Sequence, residues 1–240
     1  MLYRHMVKHV SILALLIALV STGLVVVFQN AHLTPTVAAT QALAVDDLFK
    51  LEFSIAAVIL SICLVTLVYS IIVFRRRADD EGDGPPIHGH TFLEAIWTLI
   101  PLAIVVALAI YGALVLADIT RAASSQPELE VKVSASQWSW RFEYPQYGIA
   151  TSQLELPVNG PVVFKLHGTD VIHSFWVPEW RIKMDAVPGM ETVLRITPTK
   201  VGKYKLLCAE LCGLGHAFME APVAVVEEAD FLNWVKAQPK

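Results

Sequence analysis

The stretch Cys208-Ala209-Glu210-Leu211-Cys212-Gly213-Leu214-Gly215-His216-Ala217-Phe218-Met219 places two thiols, an imidazole and a thioether within twelve residues. Thiolate and thioether are soft ligands and, with imidazole, suit copper better than magnesium, calcium or manganese. A single-copper electron-transfer site takes one Cys, two His and a weak axial Met. Cys212, four residues after Cys208, is one thiolate more than that site uses. Two neighbouring thiolates can bridge two copper ions, share one unpaired electron and spread the rearrangement that redox change demands. Spacing alone leaves two other readings open: a structural disulfide in an oxidising compartment, and zinc held by two Cys and two His.

The rest of the chain must position that stretch. Of its 240 residues 55% are hydrophobic, and they are unevenly spread. Residues 1–117 hold three long apolar runs, whereas 118–240 has the composition of a water-soluble domain. The expected organisation is an N-terminal apolar segment with an outer loop (1–50), a transmembrane helical hairpin (51–117) and an aqueous module (118–240). That module carries 14 acidic and 12 basic residues, a net −2 within −4 for the whole chain. Such a balance excludes the strongly basic footprint of a nucleic-acid binder. Cys63 lies inside an apolar run and reads as a packing residue.

Residues 10–28, preceded by Arg4 and Lys8, are nearly enough to cross a bilayer core, which takes about 20 residues. Signal-peptide cores are shorter, about 7–15 residues. Ala42-Leu43-Ala44 downstream resembles a cleavage site, yet a retained helix is the expectation. Residues 51–74 predict a spanning helix ended by Arg75-Arg76-Arg77. After the acidic, Gly- and Pro-rich loop 79–86, a third run extends from 92 to about 117. Lys and Arg set orientation. Arg4, Lys8 and the arginine triplet fall on one side, and Lys50 is the only basic residue of the loop on the other. The basic side is then cytoplasmic, and 118–240 lies outside a bacterial-type plasma membrane, whether or not the first run is removed.

Beyond Asp118 the apolar period becomes two. Leu129, Val131, Val133 and Ala135 alternate with polar residues, then Trp138, Trp140, Phe142 and Tyr144 alternate on the opposite parity. A strand cannot change parity without turning its side chains over, so a bulge or bend is expected near Ser136-Gln137. Short strands at 162–166, 191–196, 203–207 and 222–226, separated by Gly and Pro, predict a Greek-key sandwich. A short helix at 230–237 closes it. The sandwich would bring together two loops, one with His173 and one with residues 208–219.

Cys-x-Glu-x-Cys-Gly-x-x-His-x-x-Met resembles the binuclear copper (CuA) loop of subunit II of haem-copper oxidases, as Asp170-Val171-Ile172-His173-Ser174-Phe175 resembles a second segment of that family. The resemblance implies a membrane-anchored, cupredoxin-like β-sandwich behind two or three transmembrane helices. It implies two copper ions bridged by Cys208 and Cys212, with His173 and His216 one to each. Met219 and the backbone carbonyl of Glu210 would complete the coordination. The Glu210 side chain would point to a magnesium shared with subunit I.

Gln137-Trp138-Ser139-Trp140-Arg141-Phe142-Glu143-Tyr144 resembles the family's aromatic segment over the copper, with Ser139 where a Tyr is usual. It implies Trp138 as the point of electron acceptance. Glu143 and Asp170 match donor-docking positions, and Glu179 joins them on charge alone. Residues 173–189 are again similar, while Met190 stands where an Arg is usual. Glu94-Ala95-Ile96-Trp97-Thr98-Leu99-Ile100-Pro101 resembles the second anchor helix, whose acid is associated with a proton pathway shared with subunit I. Plain interfacial placement is the other reading of Glu94. His88, His90 and His167 have no motif partner and read as surface or loop residues.

The function this implies is electron acceptance from a soluble donor, cytochrome c or a small blue copper protein. The electrons would pass to haem in subunit I, which, with other oxidase subunits, reduces oxygen to water coupled to proton translocation. No Cys-x-x-Cys-His is present, so no fused c-type cytochrome is expected. Three alternatives differ in class. Quinol oxidases resemble this architecture but lack the copper ligands. A copper-containing nitric oxide reductase would have a similar small subunit. A membrane-tethered copper electron-relay or metal-delivery protein would have no need of the Glu94–Pro101 pattern.

Overall fold

The computed structural model describes residues 2–31, 33–76, 82, 86, 88–122 and 127–239. Arg77 and most of the loop 79–86 lie outside the described residues. Three helices come first: α1 (Leu2–Asn30), α2 (Thr40–Val73) and α3 (Thr91–Ile119). Each is long and apolar enough to cross a membrane, and the chain itself covers almost none of their surface. Helices apolar on all sides need lipid or other helices around them. Pro101 sits inside α3, as spanning helices tolerate. Cys63 is exposed on α2, so it does not pack against the described chain.

Two compact units divide the chain: Met1–His32 with Asp47–Gly112, and Leu33–Asp46 with Ala113–Lys240. Helix α2 therefore starts well before the apolar run at 51, because its first turns are held by protein rather than lipid. Ala38, Ala39 and Ala42 are fully buried. Ala38 N–H donates to the Glu179 carbonyl, Thr40 N–H to that of Thr197, and Thr199 N–H to that of Ala38. Arg181, itself in a left-handed conformation (φ 65°), clamps this strap. Its guanidinium donates to Asp46 (2.7 and 3.2 Å) and to the Pro35 carbonyl. The Ala42-Leu43-Ala44 sequence lies within α2.

The second unit is a β-sandwich. Its strands are β1 (Leu129–Ser136), β2 (Ser139–Tyr144), β3 (Ile149–Thr151), β4 (Leu154–Pro157), β5 (Val162–Gly168), β6 (His173–Trp176), β7 (Lys183–Ala186), β8 (Thr192–Ile196), β9 (Gly202–Cys208) and β10 (Glu220–Val226). One sheet runs β3-β2-β1-β5-β8 and the other β4-β10-β9-β6-β7. The pairs β1·β5 and β4·β10 are parallel, and the remaining ladders are antiparallel. The chain thus crosses repeatedly between sheets, which is how distant sequence positions meet at one end.

Alternating residues fill the core: Val131, Val133 and Ala135 from β1, Trp140, Phe142 and Tyr144 from β2, Phe164 and Leu166 from β5, Phe175 from β6. Each large side chain buried in this way contributes about 1.5–3 kcal/mol. The parity change after Ala135 is not a bulge within one strand. It is a tight hairpin in which Ser136 pairs with Ser139 and the chain reverses at Gln137-Trp138, joined by a cis peptide bond. Reversal frees Trp138 from the β2 face, so only three of the four aromatics are core. The closing helix α4 (Glu228–Ala237) buries Phe231 against Tyr144.

Candidate metal centre

His173 opens strand β6 rather than lying on a loop, and its register is set by pairing with Ala186 of β7. Cys208 ends β9 opposite Phe175 of β6. The ligand stretch then leaves the sheet and returns, closing where Cys208 N–H donates to the Met219 carbonyl (3.0 Å). A single 3₁₀ turn, His216–Phe218, carries the second imidazole back over the thiols.

The sulfur atoms of Cys208 and Cys212 lie 3.7 Å apart. A disulfide needs about 2.05 Å, so both thiols are free. Each sulfur has its own imidazole: Nδ1 of His173 at 4.0 Å from Cys208, and Nδ1 of His216 at 3.7 Å from Cys212. The Met219 sulfur is 3.2 Å from His173 Nδ1 and 3.7 Å from the Cys212 sulfur. The Glu210 carbonyl accepts from the Cys208 thiol at 3.2 Å. The six expected ligand groups are thus linked by a chain of close contacts. Ligand atoms of His173, Cys208 and Cys212 lie within 4.8 Å of one another, and all three residues are buried.

This donor set fits copper. Structural zinc would be satisfied by four tetrahedral ligands. Here a fully buried thioether and a carbonyl also face the thiols, donors that a closed zinc site does not use. Burial, reinforced by the Cys208 thiol, pushes the Cys212 thiol up to about 11. Metal must displace that proton, so loading releases protons to solvent.

The surroundings hold the ligands in place. Asp170 Oδ1 accepts from His173 Nε2 at 2.8 Å, leaving Nδ1 turned to the sulfurs. Partial desolvation raises the Asp170 carboxyl, but hydrogen bonds from His173 and from the N–H groups of Gln137 and Val171 outweigh it and hold it at about 2. Gln137 also donates its side-chain amide to the Cys212 carbonyl (2.8 Å), tying the hairpin to the ligand loop. Trp140 packs edge-on against His173, centroids 6.2 Å apart.

Trp138, 43% exposed, lies on the loop at Gly215. A Cβ on Gly215 would fall within 3 Å of three ring atoms, and Gly213 holds φ 114° beside Gln137. Gln137, Gly213 and Gly215 escape sequence reasoning as site residues, although a Gly-x-Gly inside a ligand loop is the signal that another group approaches its backbone.

The remaining expected residues make contacts of their own. Glu143 pairs with Arg141 on the surface (3.0 Å). Glu179 is half-buried in the 3₁₀ turn Pro178–Trp180, with one carboxylate oxygen buried and without a hydrogen-bond partner among the described residues. Glu94 sits in the first turn of α3, where it accepts from the His90 N–H (3.2 Å). That contact satisfies one of the unpaired N–H groups around a helix start.

Known proteins resemble this chain in sequence. The profile described as cytochrome c oxidase subunit II, periplasmic domain, matches residues 149–227, and that of the subunit's transmembrane domain matches residues 28–115. Cytochrome c oxidase subunit 2 of Thermostichus vulcanus is 34% identical, over 84% of this chain and 77% of that protein. The subunit 2 of Synechocystis sp. is 32% identical, over 95% and 82%. Quinol oxidase subunit 2 of Bacillus subtilis is 33% identical, over 80% and 61%. The chain belongs to the cytochrome c oxidase subunit II family, as the membrane-anchored part of a haem-copper oxidase that carries a cupredoxin-like copper domain.

Proposed function

We propose that this chain accepts electrons from a soluble donor at a binuclear copper centre and delivers them to haem in subunit I, where oxygen is reduced with proton translocation. The observation that carries the reading is the pair of free thiols 3.7 Å apart, each with its own imidazole. Cys208 and Cys212 would bridge. His173 and Met219 lie together on one side, and the Glu210 carbonyl with His216 would serve the other. Copper bound there supplies a one-electron carrier. The buried ladder of β6 and β9 keeps the ligands fixed between oxidation states, and Asp170 keeps His173 oriented. This donor set separates the chain from quinol oxidases, which the overall identity alone does not do.

Donor docking fits the face around Trp138. Leu211, Leu214 and Phe218 stand exposed on the ligand loop, the last two at 95% and 84%. Such an apolar collar suits contact with a donor's redox edge, and the Glu143 and Asp170 carboxylates would steer a basic cytochrome c. The Glu210 side chain would face subunit I and a shared magnesium. The basic flanks of α1 and α2 favour a cytoplasmic location for that end, with the copper domain outside.

Electron paramagnetic resonance of the purified complex tests the centre. Hyperfine coupling to two copper nuclei, with about two coppers per copper domain in metal analysis and loss of the delocalised signal in Cys212→Ser, is the expected result. Coupling to a single nucleus, or zinc in place of copper, refutes it.

A further inference from the structure

We propose that Gln137 is a positioning residue of the metal centre: its side-chain amide latches the ligand loop and so holds Cys212 and His216 ready for copper. The proposal rests on the copper reading of that loop. Backbone hydrogen bonds anchor the loop to its surroundings only at its feet. Cys208 N–H donates to the Met219 carbonyl (3.0 Å) and Ala209 N–H to that of Ser174 (2.9 Å). From Glu210 to Phe218 the backbone bonds are internal turns, His216 N–H to the Gly213 carbonyl (3.1 Å) and Phe218 N–H to that of Gly215 (3.0 Å). Among the described residues, one hydrogen bond reaches this part of the loop from outside residues 208–219. Gln137 Nε2 donates to the Cys212 carbonyl at 2.8 Å.

Sterics leave that segment free, so the amide has to fix it. Cys212 is followed by Gly213 at φ 114°, a conformation open to glycine, and then by Leu214, 95% exposed. A Cβ on Gly213 would lie 2.9 Å from Gln137 Nε2, so glycine also lets the amide approach. The latch is itself firmly mounted. Gln137 N–H donates to Asp170 Oδ2 (2.7 Å), and Asp170 Oδ1 accepts from His173 Nε2 (2.8 Å). One residue at the reversal between β1 and β2 thus holds His173 through its backbone and Cys212 through its side chain. Gln137 is exposed, so changing its side chain leaves both the sandwich core and the Asp170 contact in place. That separates the latch from the fold.

The test uses the full-length chain in its complex, extracted in mild detergent. Gln137→Met keeps the side-chain length and loses the donor, and Gln137→Glu sets an acceptor against the carbonyl. Amide hydrogen exchange, followed by mass spectrometry after a chelator has stripped the metal, should rise about fivefold at His216 and Phe218 in both variants. Exchange in β1 and β5 and the melting temperature should not move. Copper loss to the chelator from the loaded complex should be about 10-fold faster, and the copper hyperfine splitting in electron paramagnetic resonance should shift. No donor is present in these measurements, so a docking role of Gln137 does not produce them. Unchanged exchange at His216 and Phe218 overturns the latch. A rise spread over β1 and β5, or a lowered melting temperature, overturns it too, because Gln137 would then serve the fold. Local loosening with unchanged copper loss and an unchanged spectrum overturns the positioning role. Zinc or a single copper in the wild-type site refutes the copper reading instead, and the exchange result still decides the latch.

Discussion

His173 presents its Nε2 to Asp170 Oδ1 at 2.8 Å, and so turns its other nitrogen toward the two thiols. The carboxylate is therefore occupied on the inner side, with Oδ2 accepting from the Gln137 N–H at 2.7 Å. A partner that orients a ligand imidazole typically contributes 10–100-fold in metal affinity. Asp170→Asn should thus raise copper loss to a chelator by about 10-fold or more. Salt dependence of donor association should change less. If copper is retained normally while the salt dependence flattens, Asp170 is a docking charge only.

Trp138 rests on Gly215, next to His216 in sequence. Gly215→Ala should displace the indole from the loop, because the added Cβ has no room. Trp138→Ala removes the indole and leaves the ligands. Both should slow reduction of the centre by the donor, by about 10-fold or more if one transition-state contact of about 1.4 kcal/mol is lost. Trp138→Ala should leave the copper spectrum intact. Stopped-flow reduction with unchanged rates in both variants would falsify electron acceptance through Trp138.

The ligand stretch was legible because its chemistry is local: five of the six donors lie in residues 208–219 or their backbone, and the sixth carries its own flanking motif. The strand alternation from Leu129 to Tyr144 was equally plain. What it could not distinguish was a bulge from a hairpin, since both invert parity and no Gly or Asn marks the Gln137-Trp138 turn. The strap was invisible for another reason. Asp46 and Arg181 are 135 residues apart, and a run of small, uncharged residues at 37–42 gives no period of its own. Its helical start follows from burial against the sandwich, which only the folded chain supplies.

That strap yields a stability prediction. The Arg181 side chain is 5% exposed and that of Asp46 16%, a buried pair at 2.7 Å. Removing one partner of a buried ion pair costs about 3–5 kcal/mol. Asp46→Ala should lower the melting temperature of the copper domain in the intact chain, whereas the surface-pair substitution Glu143→Ala should leave it within experimental error. Equal melting of wild type and Asp46→Ala would show that residues 33–46 merely lie against the sandwich.

Glu155 gives the pH dependence. It is buried on β4, and desolvation, with repulsion from Asp230, raises its pKa above the usual carboxylate value. The folded state therefore binds this proton more tightly than the unfolded chain. Its contribution is most favourable at acid pH and is lost as pH rises from the unfolded value of about 4.5 through the raised folded one. Glu155→Gln should match wild type near pH 4 and exceed it in stability at pH 7. Denaturant titrations at the two pH values decide it, and an equal effect at both would show that packing rather than ionisation is at work.

Glu94 has two roles to separate. Its carboxylate accepts from the His90 N–H at the start of α3, and an acid there could also exchange protons with water for a pathway into subunit I. Glutamine keeps the acceptor oxygen and loses the exchangeable acid, whereas alanine loses both. If Glu94 delivers protons, Glu94→Gln should assemble normally, reduce its copper at the wild-type rate and turn over several-fold more slowly per haem with saturating donor. If Glu94 only caps the helix, Glu94→Gln should behave as wild type, and Glu94→Ala should assemble poorly with normal turnover in the complexes that survive. The capping contact makes glutamine the informative substitution, because alanine alone confounds a lost cap with a lost proton carrier. Turnover per assembled haem, measured beside copper reduction in the same preparation, reads the difference directly.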